Sequence, residues 1–192
     1  MTPHPFLTSA SAGVPRRRAA ALLLGLPLVA GLAFALLAGP AAAQDIRRLG
    51  EFQDWRAYTY QEGGNKVCYM ASEPKTEKGD YTQRGDVYAM VTHRPAQGTQ
   101  NVVSFIIGYP FKSDSRVSVS IDGQSFTLFT HEDTAWAPDT QTDNALVQSM
   151  RAGRQMIVKG TSTRGTETTD TYSLLGFTAA HKAINDACQV SS

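Results

Sequence analysis

The stretch VSVSIDGQSFTL, residues 117–128, decides the fold class of this 192-residue chain. Apolar residues alternate with serines up to Ile121, and the alternation resumes at Phe126 after the dipeptide Asp122-Gly123. Alternation with a period of two is typical of a half-buried strand, and Asp-Gly between two such runs is the strongest local signal for a hairpin. The stretch therefore predicts two antiparallel strands joined by a tight turn.

The chain on either side of this hairpin predicts more strands than helices. Further strands are predicted over residues 52–60, 66–72, 86–92, 101–107, 155–159 and 168–175. The run 101–107 is continuously apolar, which is typical of a central strand covered on both faces. Residues 75–80 are mostly charged and follow Pro74, so they predict an exposed loop.

Two segments have the apolar spacing of a helix. Residues 143–152 place Leu146, Val147 and Met150 on one face before a stop at Gly153, and a second helix begins near Thr178. Seven or eight short strands with hairpin signals predict a mainly β, single-domain antiparallel fold. We expect a β-sandwich or jelly-roll-like barrel with two peripheral helices, one of them C-terminal.

The first 43 residues have the three-part pattern of a secretion signal. The basic cluster Arg16-Arg17-Arg18 precedes an uncharged Leu- and Ala-rich run over residues 19–38, and a small-residue stretch ends at Ala43. This pattern predicts cleavage after Ala43 and a mature domain of residues 44–192 in the periplasm or cell envelope. An uncleaved inner-membrane anchor is the alternative, since about 20 apolar residues can span a bilayer. The paired arginines also leave the twin-arginine export route open beside the general secretory route.

The predicted mature domain is close to neutral. The three arginines of the signal are its only charged residues, so 15 of the 18 basic side chains remain against 17 acidic ones. A net charge of about −2 with interspersed signs provides no electrostatic footprint for nucleic acid. The expected partner is an envelope or host-surface protein or a glycan, and the mature domain is not expected to span the membrane.

Cys68 and Cys188 are the only cysteines in the chain. Two thiols in an oxidising compartment usually pair, and closing a loop of this length would stabilise the fold by about 4–5 kcal/mol in the chain-entropy model. We expect a disulfide that ties the C-terminal helix to the second predicted strand. A reactive or metal-binding thiol is the alternative, although neither a Cys-x-x-Cys motif nor a neighbouring histidine supports it.

The sequence contains no recognisable catalytic, cofactor or metal motif. His93, His131 and His181 lack any ligand spacing, and His181 is expected to be a hydrogen-bonded histidine at the edge of the core. Neither a nucleophile elbow nor a phosphate loop is present. We therefore predict no catalytic residues, no metal and no cofactor. A hydrolase whose acid and base come from separate strands remains the alternative.

Aromatic residues on the predicted strands have two interpretations. They could pack as core and cross-strand partners, or they could form a stacking surface for sugars or peptides. The residues concerned are Tyr58, Tyr60, Tyr69, Tyr88, Tyr109 and Phe111.

The polar, Thr-rich stretch 159–172 predicts a structural hairpin and not an active site. Arg164-Gly165 supplies the turn, and a symmetric two- or four-residue loop sets Lys159 opposite Asp170. Opposite charges across a strand pair stabilise it by roughly 0.2–1 kcal/mol. We therefore expect Lys159 and Asp170 to be a structural pair that holds the register of the hairpin.

Several segments, taken together and in order, resemble the invasion-associated locus B family of exported bacterial proteins. They are CYMASEP (68–74), RGDVYAMVTHRP (84–95), IGYPF (107–111), AWA (135–137), MRAG (150–153), KGTSTRGT (159–166) and DTYSLLGF (170–177). The resemblance extends from Trp55 to Cys188 and includes both cysteines. It implies an envelope protein implicated in host-cell interaction or invasion, acting by binding and not by catalysis. Because the family looks like one without an assigned catalytic site, the resemblance identifies no functional residue. A periplasmic hydrolase acting on envelope glycans is the alternative function.

Overall fold

The computed structural model describes residues 45–191, which lie in one compact unit, Ala42–Ser192. The predicted signal segment and its cleavage site lie outside the described residues. The strands are β1 Arg47–Phe52, β2 Trp55–Glu62, β3 Asn65–Ser72, β4 Thr76–Gly79, β5 Tyr88–Arg94, β6 Thr99–Ile106, β7 Arg116–Ile121, β8 Gln124–His131, β9 Thr134–Trp136, β10 Gln155–Thr161 and β11 Glu167–Ser173. The helices are α1 Thr140–Ala152 and α2 Phe177–Cys188, and Pro95–Gln97 forms a single 3₁₀ turn.

The strands form one open antiparallel sheet in the order β1-β2-β3-β5-β6-β9-β8-β7-β10-β11-β4. Strand β4 lies at the far edge from β1, although only three residues separate it from β3. Four residue steps reach at most about 14 Å, so the sheet has to fold over on itself. The arrangement is sandwich-like, as the sequence predicted, and the sheet does not close into a barrel.

The core lies between the two halves of the folded sheet. Trp55 in β2 donates a hydrogen bond from Nε1 to the carbonyl oxygen of Ser173 in β11, at 3.0 Å. The Trp55 ring also packs edge-on against Phe177 of α2, with ring centroids 4.9 Å apart. Both helices cover this inner face, because the buried residues of α2 contact β2 and β3 while α1 contacts β6. Within residues 45–191, neither helix packs against the opposite, outer face of the sheet.

The hairpin that decided the fold class is confirmed. Residues Ile121 and Gln124 pair directly, so Asp122 and Gly123 form a two-residue turn with φ angles of 46° and 89°. Positive φ at both positions defines the turn type that matches the twist of the flanking strands. Val117 and Leu128 of this hairpin are fully buried, as the alternation predicted.

Two predictions about other strands were wrong. Strand β6 is buried on its inner side only, since Val103 and Phe105 are fully buried while Val102, Ser104 and Ile106 are half-exposed. An apolar run does not distinguish burial on two faces from an apolar surface. The segment expected to be a loop contains β4, which pairs with β11 at the sheet edge and is exposed along its length.

The predicted structural pair Lys159–Asp170 was also wrong. The turn falls at Arg164-Gly165, but the loop has three residues because Gly165 has a φ of 82° and Ser162 accepts a hydrogen bond from its amide. A three-residue loop moves the register by one position, which sets Lys159 opposite Thr169. Since a one-residue slip moves a side chain to the other face, Lys159 is exposed on the outer face and Asp170 is fully buried on the inner face.

Candidate functional site

The outer face of the sheet has a polar half and an aromatic half. The polar half, on β7, β8 and β10, carries residues such as Ser118, Thr127 and Lys159. The aromatic half, on β2, β3, β5, β6 and β9, carries Tyr58, Tyr60, Tyr69, Tyr88, Met90, Ile106 and Trp136. The aromatic half has neither α1 nor α2 packed against it and is the first candidate for a binding surface.

The tyrosines of the aromatic half stand in two rows that cross the strands. Tyr58 pairs with Tyr69 across β2 and β3, and their rings stack with centroids 5.0 Å apart. Tyr88 pairs with Ile106 across β5 and β6 and belongs to the second row. The rows are four residues apart along β5, which corresponds to about 13 Å. Side chains of the row between them form the floor of a trough.

We call this depression the tyrosine trough. Its floor contains Ala71 and Met90, which are direct partners across β3 and β5, and its volume is about 350 Å³. Ala71 contributes only a methyl group, so the trough is deepest beside it. The Arg56–Glu73 ion pair lies at one end, with the two nearest charged atoms 3.3 Å apart. Both side chains are about half exposed, so their charges compensate each other at the surface without closing the trough.

A second depression, which we call the acidic hollow, adjoins the trough on the far side of the second row. Tyr88 and Ile106 line both depressions. The acidic hollow has a volume of about 590 Å³, and its charged lining residues are Asp86, Glu132 and Asp133. None of the described residues that line this hollow is basic. Its charged lining therefore contrasts with that of the tyrosine trough, where one arginine and one glutamate balance.

A third depression, the hairpin cleft, lies beyond the acidic hollow. The two share Gly85, Gly108, Tyr109 and Pro110, and the cleft of about 1020 Å³ reaches the turn of the β10–β11 hairpin. The backbone of Gly85 donates a hydrogen bond to the carbonyl oxygen of Gly108, at 2.9 Å. A side chain at Gly108, whose φ is 74°, would collide with the Gly85 carbonyl. The two glycines lie at the boundary between the acidic hollow and the hairpin cleft. Each depression shares lining residues with the next, and we call the three together the groove.

Arg84 forms the wall of the hairpin cleft. Its guanidinium donates two hydrogen bonds of 2.6 Å to the two carboxylate oxygens of Asp170, and its Nε donates to the Ile107 carbonyl at 2.7 Å. The Arg84 side chain is 3% exposed and Asp170 is fully buried. Burial alone would lower the pKa of Arg84, but the hydrogen bonds and charge of Asp170 raise it. Asp170 therefore fixes the arginine in place and is not available as a catalytic acid.

Tyrosine rings flank the guanidinium of Arg84 on the cleft side. Its central carbon lies 5.6 Å from the ring centroid of Tyr81 and 5.2 Å from that of Tyr109. The Tyr109 hydroxyl is also hydrogen-bonded to that of Thr168, at 2.7 Å. Cation–π contacts of this kind hold both rings in place. Arg84 thereby orders the aromatic side of the cleft.

Three tyrosines of the groove, Tyr69, Tyr88 and Tyr109, remain neutral hydrogen-bond donors. Burial raises the pKa of Tyr69, with a further contribution from the neighbouring phenols, and burial raises that of Tyr109. The pKa of Tyr88 is raised by burial and then by the charges of Asp86 and Glu73. Each tyrosine can therefore offer an apolar ring together with an O–H group to a ligand.

A buried polar network under the helices involves two of the histidines. His93 accepts a hydrogen bond at Nδ1 from the Asn101 amide and donates from Nε2 to Asn185 at 2.7 Å. His181 donates from Nε2 to the Asn101 side chain at 2.9 Å. Both rings are therefore neutral tautomers, and burial lowers the pKa of His93 and lowers that of His181 to about 4. The expectation of a hydrogen-bonded His181 is confirmed, and the network is structural.

The same network reaches the first helix through Asn144, whose side-chain oxygen accepts a hydrogen bond from the Asn101 side chain at 2.9 Å. The neighbouring Asp143 is hydrogen-bonded to β6 as well. Its carboxylate accepts a hydrogen bond from the backbone amide of Val103, at 2.8 Å. Burial raises the pKa of Asp143 to about 6, against the opposing effect of that hydrogen bond. Among residues 45–191, no group of three histidine, cysteine or acidic side chains could hold a metal ion.

The predicted cysteine pair forms a disulfide in the structure. Cys68 in β3 and Cys188 at the end of α2 are bonded, with their Cα atoms 6.0 Å apart. The bond lies on the inner face, away from the groove. It ties the C-terminal helix to the strand that carries Tyr69 on its other side.

Sequence reasoning grouped six aromatic residues, and the structure separates them. Tyr58, Tyr69 and Tyr88 line the tyrosine trough, Tyr109 lines the other two depressions, and Tyr60 packs edge-on against Tyr69 outside the groove. Phe111 is buried in the core. Tyr81 and Arg84 were not singled out as candidate site residues, because loop residues have no periodicity that would place them.

The fold and the groove define a class before any comparison: a disulfide-bonded, sandwich-like β domain with an aromatic groove on its outer face. The sequence model of the Invasion associated locus B (IalB) protein family matches residues 55–185. The chain belongs to the IalB family.

A solved structure supports the fold assignment. The crystal structure of invasion associated protein B from Bartonella henselae is similar with a TM-score of 0.53 and 17% sequence identity, covering 73% of this chain and 96% of that chain. A search of curated proteins gave no match. Within residues 45–191, no helix is both long and apolar enough to cross a membrane.

Proposed function

We propose that this IalB-family protein is an exported cell-envelope protein that acts by binding a partner in the groove, and not by catalysis. The observation that carries the proposal is that the tyrosine trough, the acidic hollow and the hairpin cleft adjoin one another, each sharing lining residues with the next. Binding sites are typically concave and aromatic with a few placed polar groups. A groove of three connected depressions suits an extended ligand better than a small molecule.

Site-specific photocrosslinking tests the binding function directly. A photoreactive amino acid in place of Tyr88 should give one defined adduct in envelope extract or with host-cell surface protein. The matched control is the same amino acid in place of Thr127, on the polar half of the outer face. Adducts of equal yield at the two positions, or none at Tyr88 in either extract, would contradict the proposal.

Export rests on the signal-like segment of residues 1–43 and agrees with the disulfide. We expect the mature protein to begin at Gln44 in the periplasm or envelope, because small residues at Ala41 and Ala43 suit signal peptidase. Intact-mass measurement of protein from the envelope fraction decides the point. Recovery of the full-length chain in the inner membrane would support an uncleaved anchor instead.

The name of the family and that of the Bartonella protein refer to invasion. A role of this chain in host-cell entry is the finer form of the proposal, and the two extracts used for crosslinking separate it from a role within the envelope. An adduct formed only with host-surface protein supports host interaction. An adduct formed only with envelope protein assigns the groove to an envelope partner.

A periplasmic glycan hydrolase is the second candidate. It is favoured by one observation, the three carboxylates that two separate segments bring to the acidic hollow. Incubation with purified peptidoglycan should release soluble fragments if this activity exists. The release should be lost in Glu132→Gln and kept in Asp122→Asn, which changes a carboxylate outside the groove.

A further inference from the structure

We infer that the groove binds an extended, proline-rich peptide segment carrying a basic residue, and that this residue occupies the acidic hollow. The inference rests on the proposed binding function and assigns its ligand class. The inference depends on the geometry of the tyrosine trough, on the kind of contact its walls can make, and on the charge of the acidic hollow beside it.

The groove lies on a sheet face whose backbone is already paired. Strands β2, β3, β5 and β6 each have a neighbour on both sides, so their amide and carbonyl groups are used within the sheet. A ligand on this face cannot add a strand and has to be recognised through its side chains and ring surfaces. A polyproline II helix has no internal hydrogen bonds and is largely preformed, so it loses little conformational entropy on docking.

The spacing of the tyrosine trough fits such a helix. The trough crosses strands that lie about 4.8 Å apart, so two strands advance about 9.6 Å. One turn of a polyproline II helix has three residues and advances about 9.3 Å. Successive turns would therefore meet equivalent positions on alternate strands, such as those of Ala71 on β3 and Ser104 on β6, which are both direct partners of Met90 on β5. Aromatic walls around small floor residues are the surfaces on which proline-rich segments dock.

The lining of the trough favours a peptide over a glycan. Most of its wall and floor is apolar, with Ala71, Met90 and Ile106 between the tyrosine rings. A sugar chain would have to remove many hydroxyl groups from water against this surface, and unpaired buried hydroxyls are costly. Proline rings have no donor to satisfy and can bury apolar surface against the tyrosines.

The charge of the acidic hollow defines the remaining requirement. Asp86, Glu132 and Asp133 line it, none of its described lining residues is basic, and it lies beside the trough on the far side of Tyr88. A basic side chain of a ligand in the trough would reach it past the Tyr88 ring. A lysine or arginine of the ligand would be complementary to these carboxylates. The carboxylates of the two neighbouring depressions already have basic partners. Glu73 at the tyrosine trough is paired with Arg56, and Asp170 behind the hairpin cleft is paired with Arg84.

Fluorescence anisotropy with synthetic peptides tests the inference. The probe is a labelled decaproline with arginine at its central position, and the comparison probes are the same peptide with glutamate there and a linear hexamer of N-acetylglucosamine. We expect the arginine peptide to bind at least tenfold more tightly than the glutamate peptide. Tyr88→Ala should weaken binding at least tenfold, while Phe129→Ala, which removes an exposed aromatic ring outside the groove, should leave it unchanged.

Charge variants test the position of the basic residue. Glu132→Gln with Asp133→Asn should reduce the preference for arginine over glutamate, and Asp122→Asn should not. Equal binding of both peptides, no binding of either, or tighter binding of the sugar hexamer with loss in Tyr88→Ala would overturn the inference. A crosslink specific to position 88, together with no binding of the synthetic peptides, would support the binding function and contradict only the inferred ligand class.

Discussion

Replacing Asp170 by asparagine should destabilise the protein strongly while leaving its shape almost unchanged. The substitution removes one charge from a pair in which Arg84 is 3% exposed and Asp170 is fully buried. Breaking a buried ion pair from one side costs about 3–5 kcal/mol, because the remaining charge stays buried without its partner. Glu77 lies 3.4 Å from the guanidinium and retains part of the compensation, so we expect the lower end of that range, about 3 kcal/mol.

The measurement is equilibrium urea unfolding of the oxidised protein at pH 7, with calorimetry beside it. For a domain of this size, 1 kcal/mol shifts Tm by roughly 2–4 °C, so the melting temperature should fall by roughly 6–12 °C. Lys159→Ala serves as the control and should change the free energy of unfolding by less than about 0.5 kcal/mol, since Lys159 is exposed. The double variant Arg84→Met, Asp170→Leu should lose clearly less than the two single changes together.

Two results would refute this reasoning. A loss below about 1 kcal/mol for Asp170→Asn would show that the buried pair contributes little beyond an ordinary hydrogen bond. If Lys159→Ala lowered the free energy of unfolding as much as Asp170→Asn, the result would support the register predicted from the sequence, in which those two residues pair.

Acid should lower the stability of the protein through two buried histidines, and Asp143 should offset part of that loss. The lowered pKa values of His93 and His181 mean that the unfolded chain takes up protons first, so the free energy of unfolding falls as the pH drops from about 6.5 to 4. Asp143, with its pKa raised to about 6, takes up a proton first in the folded state and opposes that loss. Urea midpoints at pH 7 and pH 4.5 should therefore differ more in Asp143→Asn than in the wild type, and equal differences would contradict the assignment. Removing the disulfide with Cys68→Ala and Cys188→Ala should cost about 4–5 kcal/mol in the chain-entropy model. Alkylation of the unreduced, denatured wild type should label no thiol, and two labelled thiols per chain would exclude the bond.

The sequence was informative where the deciding interactions are local. Asp122-Gly123 specified its hairpin because the turn and the register of its two strands depend on four adjacent residues. Arg164-Gly165 located the second hairpin, but its register depended on whether Gly165 adds one residue to the loop. Composition alone does not decide that, and the wrong loop length assigned Asp170 to the wrong face and the wrong partner.

The groove could be predicted only in part. Six aromatic residues were grouped as core partners or as a stacking surface, and three of them, Tyr58, Tyr69 and Tyr88, line the tyrosine trough. Their meeting with the loop residues of the acidic hollow depends on the order of strands in the sheet, which single-sequence patterns do not encode. Arg84 and Asp170 are 86 residues apart, so nothing in either local segment indicated their contact.

The disulfide has a consequence for the order in which the chain folds. A polypeptide emerges N-terminus first, and Cys188 lies 120 residues after its partner. The first three strands therefore wait for the last helix before their inner face is covered and their cysteine is used. Cys68 can form its native bond only once Cys188 has emerged, so the disulfide should appear late in the maturation of the protein.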